Sequence, residues 1–352
     1  MAAALPTADL YALTRNPAAG LEFGGRPVST TFLDHPLLRR QSRALQLPLM
    51  PLAWRYATGR SYDAVITSSH ACAKGFRPGR HALHLSYCYT PMRYAWLTDV
   101  DQRRPASPWR AFGARRLRAW DLRAAGWVDE FAAISTAVAR RIEDFYGRPA
   151  VVVHPPVDLD RFTPAPEPGG GGFALAVSRM VPYKRLDLAV RGAHRAGYPL
   201  VVAGAGPEEQ RLRALATGLG ADVRFVVGPT DDQLAALYRD ADVLVFPAEE
   251  DFGIVPVEAQ ACGTPVVAFS RGGALDTVVE GVTGVLVPAQ DEQSVAAGIE
   301  TALRSGFDPA ACRRNAERFS VGRFRDAFLD WVIGAAAAKG IALDDPRHAH
   351  PA

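Results

Sequence analysis

DVLVFPAEEDFGIVPVEAQACGTPVVAF (242–269) reads as strand, loop, helix and strand within one short stretch. Its ends, DVLVF and PVVAF, are the apolar runs that parallel strands need when both of their faces are covered. Between them, EDFG supplies turn chemistry and the residues from Ile254 onward a helix-length segment. Outward from this unit the alternation continues. FALAVS (173–178), PLVVA (199–203) and VRFVV (223–227) precede it and GVLV (284–287) follows, each set apart by enough chain for a helix. Strands alternating with helices imply βαβ units and a parallel, doubly wound α/β sheet. Thr230 stands ahead of DDQLAALYRD, placed to cap a helix whose first turn is acidic.

Upstream the pattern repeats less cleanly in ADLYAL (8–13), VSTTF (28–32), AVITS (64–68), LHLSYC (83–88), EFAAI (130–134) and VVVH (151–154). Between the halves lies TPAPEPGGGG (163–172), a Pro/Gly run without periodicity that reads as a linker. The expected organisation is one domain over 1–165 and a second over 166–320. A C-terminal helix over 321–338, able to pack back on the first domain, and a disordered tail over 339–352 follow. PWRAFGARRLRAWDLR carries Trp109, Phe112, Leu117 and Trp120 at roughly helical spacing. It reads as a packed surface helix or as one facing a membrane or an acceptor.

Composition narrows the classes. A chain of 352 residues with 48% hydrophobic and 22% charged residues is long enough for two cored globular domains. No apolar run approaches the length of a membrane span, and the start lacks the features of a signal peptide, so a cytoplasmic location is expected. Cys72, Cys88, Cys262 and Cys312 have no CxxC spacing, which suggests neither a disulfide framework nor a zinc site. Charge is uneven. Residues 1–165 hold 22 Lys/Arg against 13 Asp/Glu, a net of +9, and the remainder is net negative. A basic first half suits an anionic partner such as a phosphorylated lipid or a membrane surface.

The chemistry-bearing residues gather at strand ends. Arg179 follows FALAVS directly, at the strand edge where open α/β sheets bind ligands, and Lys184 is expected at the start of the next helix. Either cation alone could be an ordinary surface ion pair. After DVLVF, Glu250 lies in the loop and Glu258 about one turn into the helix. Phe252, Gly253 and Ile254 stand at the helix N-terminus, where free amides favour phosphate or sugar oxygens. Neighbours Val255, Val257 and Ala259 make that helix mostly apolar, so a carboxylate at Glu258 needs a partner. Two carboxylates for hydroxyls and two cations for a diphosphate together suit a sugar nucleotide.

Longer stretches carry a resemblance. SRMVPYKRLDLAV, GAGPEEQRL, the segment from Phe246 to Val287 and HPPVDLDRFTP resemble the retaining, nucleotide-sugar-dependent glycosyltransferases of the GT-B fold. Within these, the glycogen-synthase-like group 1 family and its GDP-mannose-dependent lipid-glycan mannosyltransferases are most similar. SYDAVITSSHACAKG and YCYTPMRYAW resemble the acceptor domain of that group. The resemblance runs from about residue 8 to 335. It implies two Rossmann-like doubly wound domains facing a cleft, and transfer of a hexose, first choice mannose, to a glycan or lipid-linked acceptor. It assigns Arg179 and Lys184 to the donor diphosphate, Glu250 to the sugar and Glu258 to the ribose. Phe252, Gly253, Ile254 and Tyr89 complete the donor-binding set. No metal and no cofactor beyond the donor are expected, and peripheral contact with the inner face of the membrane is.

Two departures bear on this expectation. Tyr89 stands where relatives usually carry a histidine near the reacting sugar; it can hydrogen-bond but cannot carry a proton near neutral pH. Relatives also begin with a further strand, glycine loop and helix, so the N-terminal domain reads as lacking its first βα unit. Weaker signals have plainer readings. GAGPEE (204–209) lacks the third glycine of a dinucleotide fingerprint, and the triplets Asp99–Asp101 and Asp158–Asp160 are poor metal sites. His70, His84 and His154 read as packed or capping residues. The alternatives are a sugar-nucleotide epimerase of similar fold and an inactive sugar-nucleotide-binding protein.

Overall fold

The structure is a computed structural model that describes residues 1–15, 23, 25–40, 46–57, 60–79, 81–96, 108–165 and 170–348. The chain divides into two compact units. The first comprises Met1–Ile134, Val138–Val153 and Arg325–Ala352, and the second Ser135–Ala137 and His154–Phe324.

In the first unit, β1 (Leu10–Ala12) pairs in parallel with β2 (Val28–Thr30) as a separate two-stranded sheet. A parallel four-stranded sheet follows in the order β3 (Ala64–Ser69), β4 (Leu83–Cys88), β5 (Glu130–Ala133) and β6 (Ala150–Val152). All six strands form where the apolar runs place them. The two sheets are joined by side chains: the hydroxyls of Tyr11 and Tyr62 lie 2.8 Å apart, and Tyr62 also donates to Asp9 at 2.7 Å. β4 is buried along its whole length, so its polar side chain His84 must be satisfied internally. His84 Nδ1 meets the Trp127 carbonyl at 3.0 Å, and burial pushes its pKa down to about 4, which keeps the ring neutral. His70, in contrast, is exposed.

Beside this sheet Lys74 and Asp121 form a buried ion pair, Nζ to Oδ1 2.6 Å. Asp121 Oδ2 also accepts from Trp96 Nε1 at 2.8 Å and from the Tyr146 hydroxyl at 2.6 Å. Asp121 belongs to the helix Pro108–Ala125, which buries its C-terminal end through Asp121, Ala124 and Ala125. The expected apolar face is therefore only partly used. Leu117 and Trp120 pack on the core of Leu33, Met50 and Met92, while Phe112 is 53% exposed beneath Arg116. The side chain of Trp109 lies outside the described residues.

The second unit is one six-stranded parallel sheet of β7 (Ala174–Val177), β8 (Leu200–Gly204), β9 (Val223–Val227), β10 (Val243–Phe246), β11 (Val266–Phe269) and β12 (Gly284–Val287). Its spatial order is β12-β11-β10-β7-β8-β9. The chain runs outward from β7 to β9, then crosses back to β10 beside β7 and runs outward the other way. β7 and β10 thus flank the topological switch point, where crevices open at the carboxyl ends of strands. β7, β10 and β11 are buried at every position, which explains their unbroken apolar runs. Val190, Leu200, Val202, Val243, Val245 and Ile299 fill the core between sheet and helices. Thr230 caps as expected and adds a capping box: Gln233 N–H donates to its hydroxyl at 3.2 Å, and Thr230 N–H to Gln233 Oε1 at 2.9 Å.

The boundary differs from the one expected at residue 165. HPPVDLDRFT belongs to the second unit because its side chains and backbone are already engaged there. Val157 N–H donates to the Phe319 carbonyl at 2.8 Å, and Arg313 donates to the carbonyls of Leu159 and Phe162 at 3.2 and 2.8 Å. A Pro/Gly run marks irregular backbone, not which side it packs on. Residues 166–169 of that run lie outside the described residues. The helix Val321–Ala338 forms as expected. Residues 339–348 of the expected disordered tail are held in the first unit: Lys339 Nζ sits 2.6 Å from Asp129, and Arg347 pairs with Asp330 at 2.8 Å. Residues 349–352 lie outside the described residues.

Candidate functional site

The two groups of residues expected to carry chemistry emerge from the two strands at the switch point. β7 ends at Val177; Arg179 follows, exposed, and donates from Nη2 to the Tyr183 hydroxyl at 2.7 Å. Lys184 lies not at the start of a helix but at the end of the 3₁₀ turn Pro182–Lys184. Arg185 then takes a left-handed conformation, φ 52°, before the helix Leu186–Arg195. The left-handed Arg185 is what separates the turn from the helix, since a residue with positive φ cannot continue a right-handed helix. The outcome is that Lys184 crosses toward the neighbouring strand's loop, and its Nζ pairs with Glu250 Oε1. Both side chains are mostly buried, so the pair is one fixed element bridging β7 and β10.

Past Glu250 the backbone is shaped by glycines. Gly253 has φ 88° and stands as N-cap of the helix Ile254–Ala261, which points its first free amides at the same edge. The Phe252 side chain is buried, tilted against His154 and edge to face with Phe319 at ring-centre distances of 5.7 and 5.5 Å. It is therefore core, and only its backbone is available to a ligand. Ile254 is 45% exposed at the opening of the helix. The turn before the next helix packs on this loop: Gly273 N–H donates to the Glu250 carbonyl at 2.8 Å, and a Cβ on Gly273 would stand 2.2 Å from Phe252 Cα. Gly273→Ala therefore forces backbone apart at the site. We expect about 1–3 kcal/mol of destabilisation, measured by denaturant unfolding; an unchanged midpoint would show that the two loops part freely.

Glu258 sits one turn into its helix, half-buried. Its partner is Tyr238, fully buried on the helix Asp231–Asp240, whose hydroxyl donates to Glu258 Oε2 at 2.8 Å. Burial pushes the Glu258 carboxyl up; the Tyr238 hydrogen bond pulls it back, Asp231 adds to the rise and Arg161 opposes it. Burial likewise holds the Tyr238 phenol well above its ordinary value, so it is a permanent donor. Arg161 and Asp231 pair with each other at 2.6 Å.

A further cluster escaped the sequence reading. Asp276 accepts from the Thr136 amide at 2.7 Å and lies 3.6 Å from His154 Nε2, while the Ser135 hydroxyl donates to the Asp251 carbonyl. Burial would raise the Asp276 carboxyl, but His154 and Thr136 outweigh it and hold it below the usual range. His154 is thus a packed residue, as expected. Tyr89 belongs to the first unit, where it is 38% exposed, accepts from Ser68 at 3.2 Å and meets Tyr87 edge to face. Asp158 caps Arg161, donor N–H to Oδ1 3.2 Å, and among the described residues no group of three or more His, Cys, Asp or Glu could hold a metal ion. Asp99 and Asp101 lie outside the described residues. Tyr238 could have been suspected from the sequence alone, because a tyrosine on the apolar face of a helix needs a partner for its hydroxyl.

Comparison with known proteins shows what this chain is similar to. The family described as Glycosyl transferases group 1 matches residues 161–319, which contain Arg179, Lys184, Glu250 and Glu258. The chain is 39% identical over 242 residues to a D-inositol 3-phosphate glycosyltransferase of Geodermatophilus obscurus, covering 59% of this chain and 53% of that protein. It is 31% identical over 274 residues to the protein of the same name from Mycobacterium bovis, covering 70% and 55%. The chain thus spans about half the length of these curated relatives. Among solved structures, sucrose-phosphate synthase from Thermosynechococcus elongatus has a TM-score of 0.75 at 20% identity, covering 94% of this chain and 89% of that one. The lipopolysaccharide outer core galactosyltransferase WaaB has a TM-score of 0.67 at 17% identity, covering 93% and 89%. Residues 161–319 of the second unit thus match the group 1 glycosyltransferase family model, and the chain as a whole has the GT-B fold.

Proposed function

We propose that the chain transfers a hexose from a nucleoside diphosphate sugar to a hydroxyl acceptor, with retention of anomeric configuration. The observation that carries this is the Lys184–Glu250 pair bridging the two switch-point strands, with Arg179, the Gly253 helix N-terminus and Glu258 on the same sheet edge. Arg179 and Lys184 supply fixed positive charge to a departing diphosphate, and the helix amides add to it. Glu250, oriented by Lys184, accepts hydrogen bonds from sugar hydroxyls; so paired, it is not a free nucleophile. Glu258 takes the ribose hydroxyls with the carboxylate lone pairs that the Tyr238 hydrogen bond leaves open. In the transfer the acceptor oxygen bonds to the anomeric carbon, the bond from that carbon to the phosphate oxygen breaks, and the acceptor proton passes to the leaving phosphate.

GDP-mannose is the first donor in this reading, on the resemblance of YCYTPMRYAW and HPPVDLDRFTP to mannosyltransferases, with UDP-sugars second. The acceptor is a glycan or lipid-linked hydroxyl compound bearing negative charge. The basic first half favours this, as does the name of the 39%-identical relative, which specifies D-inositol 3-phosphate. Peripheral contact with an anionic membrane face, from the cytoplasmic side, belongs to the same proposal; no helix among the described residues is long and apolar enough to cross a membrane. The epimerase alternative is not favoured, because the matching family and relatives are transferases. Incubation with GDP-mannose or UDP-glucose, with and without D-inositol 3-phosphate, tests the whole. Nucleoside diphosphate release that depends on acceptor is expected. Isomerised donor without any acceptor, or release from UDP-glucose alone, would overturn the transferase reading or the donor choice respectively.

A further inference from the structure

Tyr238 has no task in the family signature read above, yet it is among the largest fully buried side chains of the protein. Its ring is packed by Phe162 at 5.6 Å, edge to face, and its carbonyl accepts from the Thr264 hydroxyl at 2.5 Å. The phenol is thereby fixed at both ends, and its hydroxyl has one direction in which to donate, toward Glu258 Oε2. A buried phenol with a single 2.8 Å bond to a half-buried carboxylate does two things. It selects the carboxylate's rotamer, and it stabilises the ionised over the neutral form.

We propose that Tyr238 is a positioning residue that holds Glu258 ionised and aimed at the donor, so that nucleotide binding weakens in acid through Glu258 and Tyr238 sets where that weakening falls. The inference rests on the assignment of Glu258 to the donor ribose made above. A diol donates two hydrogen bonds to a carboxylate, and a protonated carboxyl cannot accept both equally. Binding therefore selects the ionised form. The groups facing Glu258 are Tyr238 and Asp231 from the helix Asp231–Asp240, Arg161 from the segment before the linker, and Cys262 at the end of its own helix. Arg239 and Arg313 flank that thiol, which burial pushes up to about 12, so it stays uncharged. Of the others, Asp231 opposes ionisation of Glu258, while Arg161 and Tyr238 favour it.

These opposed signs give the test. GDP and UDP are titrated calorimetrically into wild type, Tyr238→Phe, Asp231→Asn and Glu258→Gln from about pH 5 to about pH 8. In wild type, affinity for the bound nucleotide falls on the acid side. In Tyr238→Phe that fall moves to higher pH, leaving affinity about fivefold weaker at the pH where wild type is half-maximal. Asp231→Asn moves it to lower pH, and Glu258→Gln leaves only the part of the fall that the nucleotide's own terminal phosphate gives as it protonates at about pH 6. Asp231 is exposed, so its variant reads the sign even if Tyr238→Phe fails to fold. Profiles for Tyr238→Phe and Asp231→Asn that overlay a sloping wild-type profile would overturn the inference alone. Wild type that binds neither GDP nor UDP at any pH would overturn the donor assignment, and the inference with it.

Discussion

Lys184→Ala is expected to lower donor-dependent transfer by about 10²–10³-fold while leaving the fold largely intact, since the proposed function gives its charge to the departing diphosphate. The structure adds a reason to expect more than the loss of one cation. Lys184 also orients Glu250, and the two side chains form a single bridge between β7 and β10. Removing the lysine frees the carboxylate to turn toward incoming phosphate, where it repels. Glu250→Gln should therefore behave differently: the lysine stays charged and available, turnover falls through lost sugar contacts, and donor affinity falls less than in Lys184→Ala. Steady-state transfer combined with calorimetry of donor binding separates the two. Unaltered transfer in Lys184→Ala would reduce the pair to an ordinary ion pair of a loop.

The largest effect on stability is expected in the first unit. Lys74→Met leaves the Asp121 carboxylate buried without a cation and costs about 3–5 kcal/mol. For a unit of this size that corresponds to a melting temperature lower by on the order of 10 °C. Replacing both partners with apolar residues should not restore it, since Trp96 Nε1 and the Tyr146 hydroxyl both donate to Asp121 and would lose their acceptor. Lys74→Met combined with Asp121→Asn keeps an oxygen for both donors and removes the charge, and should recover most of the loss. A Lys74→Met protein that melts with wild type would show that the carboxylate finds another partner.

Much of the fold was readable because the strands of this sheet are covered on both sides. A strand such as β10 has no polar face, so VLVF announces itself without alignment or context. The capping of DDQLAALYRD by Thr230 was equally local. The candidate site was readable in outline for a related reason: its residues follow strand ends, and strand ends define one edge of the sheet. Partnerships were not readable. Nothing near Lys184 in the chain names Glu250 as its partner, and the left-handed Arg185 that keeps the lysine out of the following helix carries no sequence signal. Glu258 was seen to need a partner, but Tyr238 lies a helix and a strand away. The unit boundary failed likewise, because HPPVDLDRFT is irregular in sequence and ordered only by what it touches. Periodicity reports which face a residue occupies; it carries no record of what stands opposite.

The first unit is assembled from three stretches of chain, the last of which, Arg325–Ala352, follows the whole of the second unit. Synthesis from the amino end therefore presents the ribosome with an inverted order. Lys339, whose ammonium closes on Asp129 and the Ala82 carbonyl, emerges only after β7 through β12 are complete. The usual sequence, in which the earlier domain finishes first, does not hold for this architecture. The second unit can close while the first is still waiting for its final helix. During that interval Asp129 and the Ala82 carbonyl, which stand just ahead of β5 and β4, still lack the lysine, so the first unit is most open to chaperones and proteases after β12 has emerged and before residues 325–348 have.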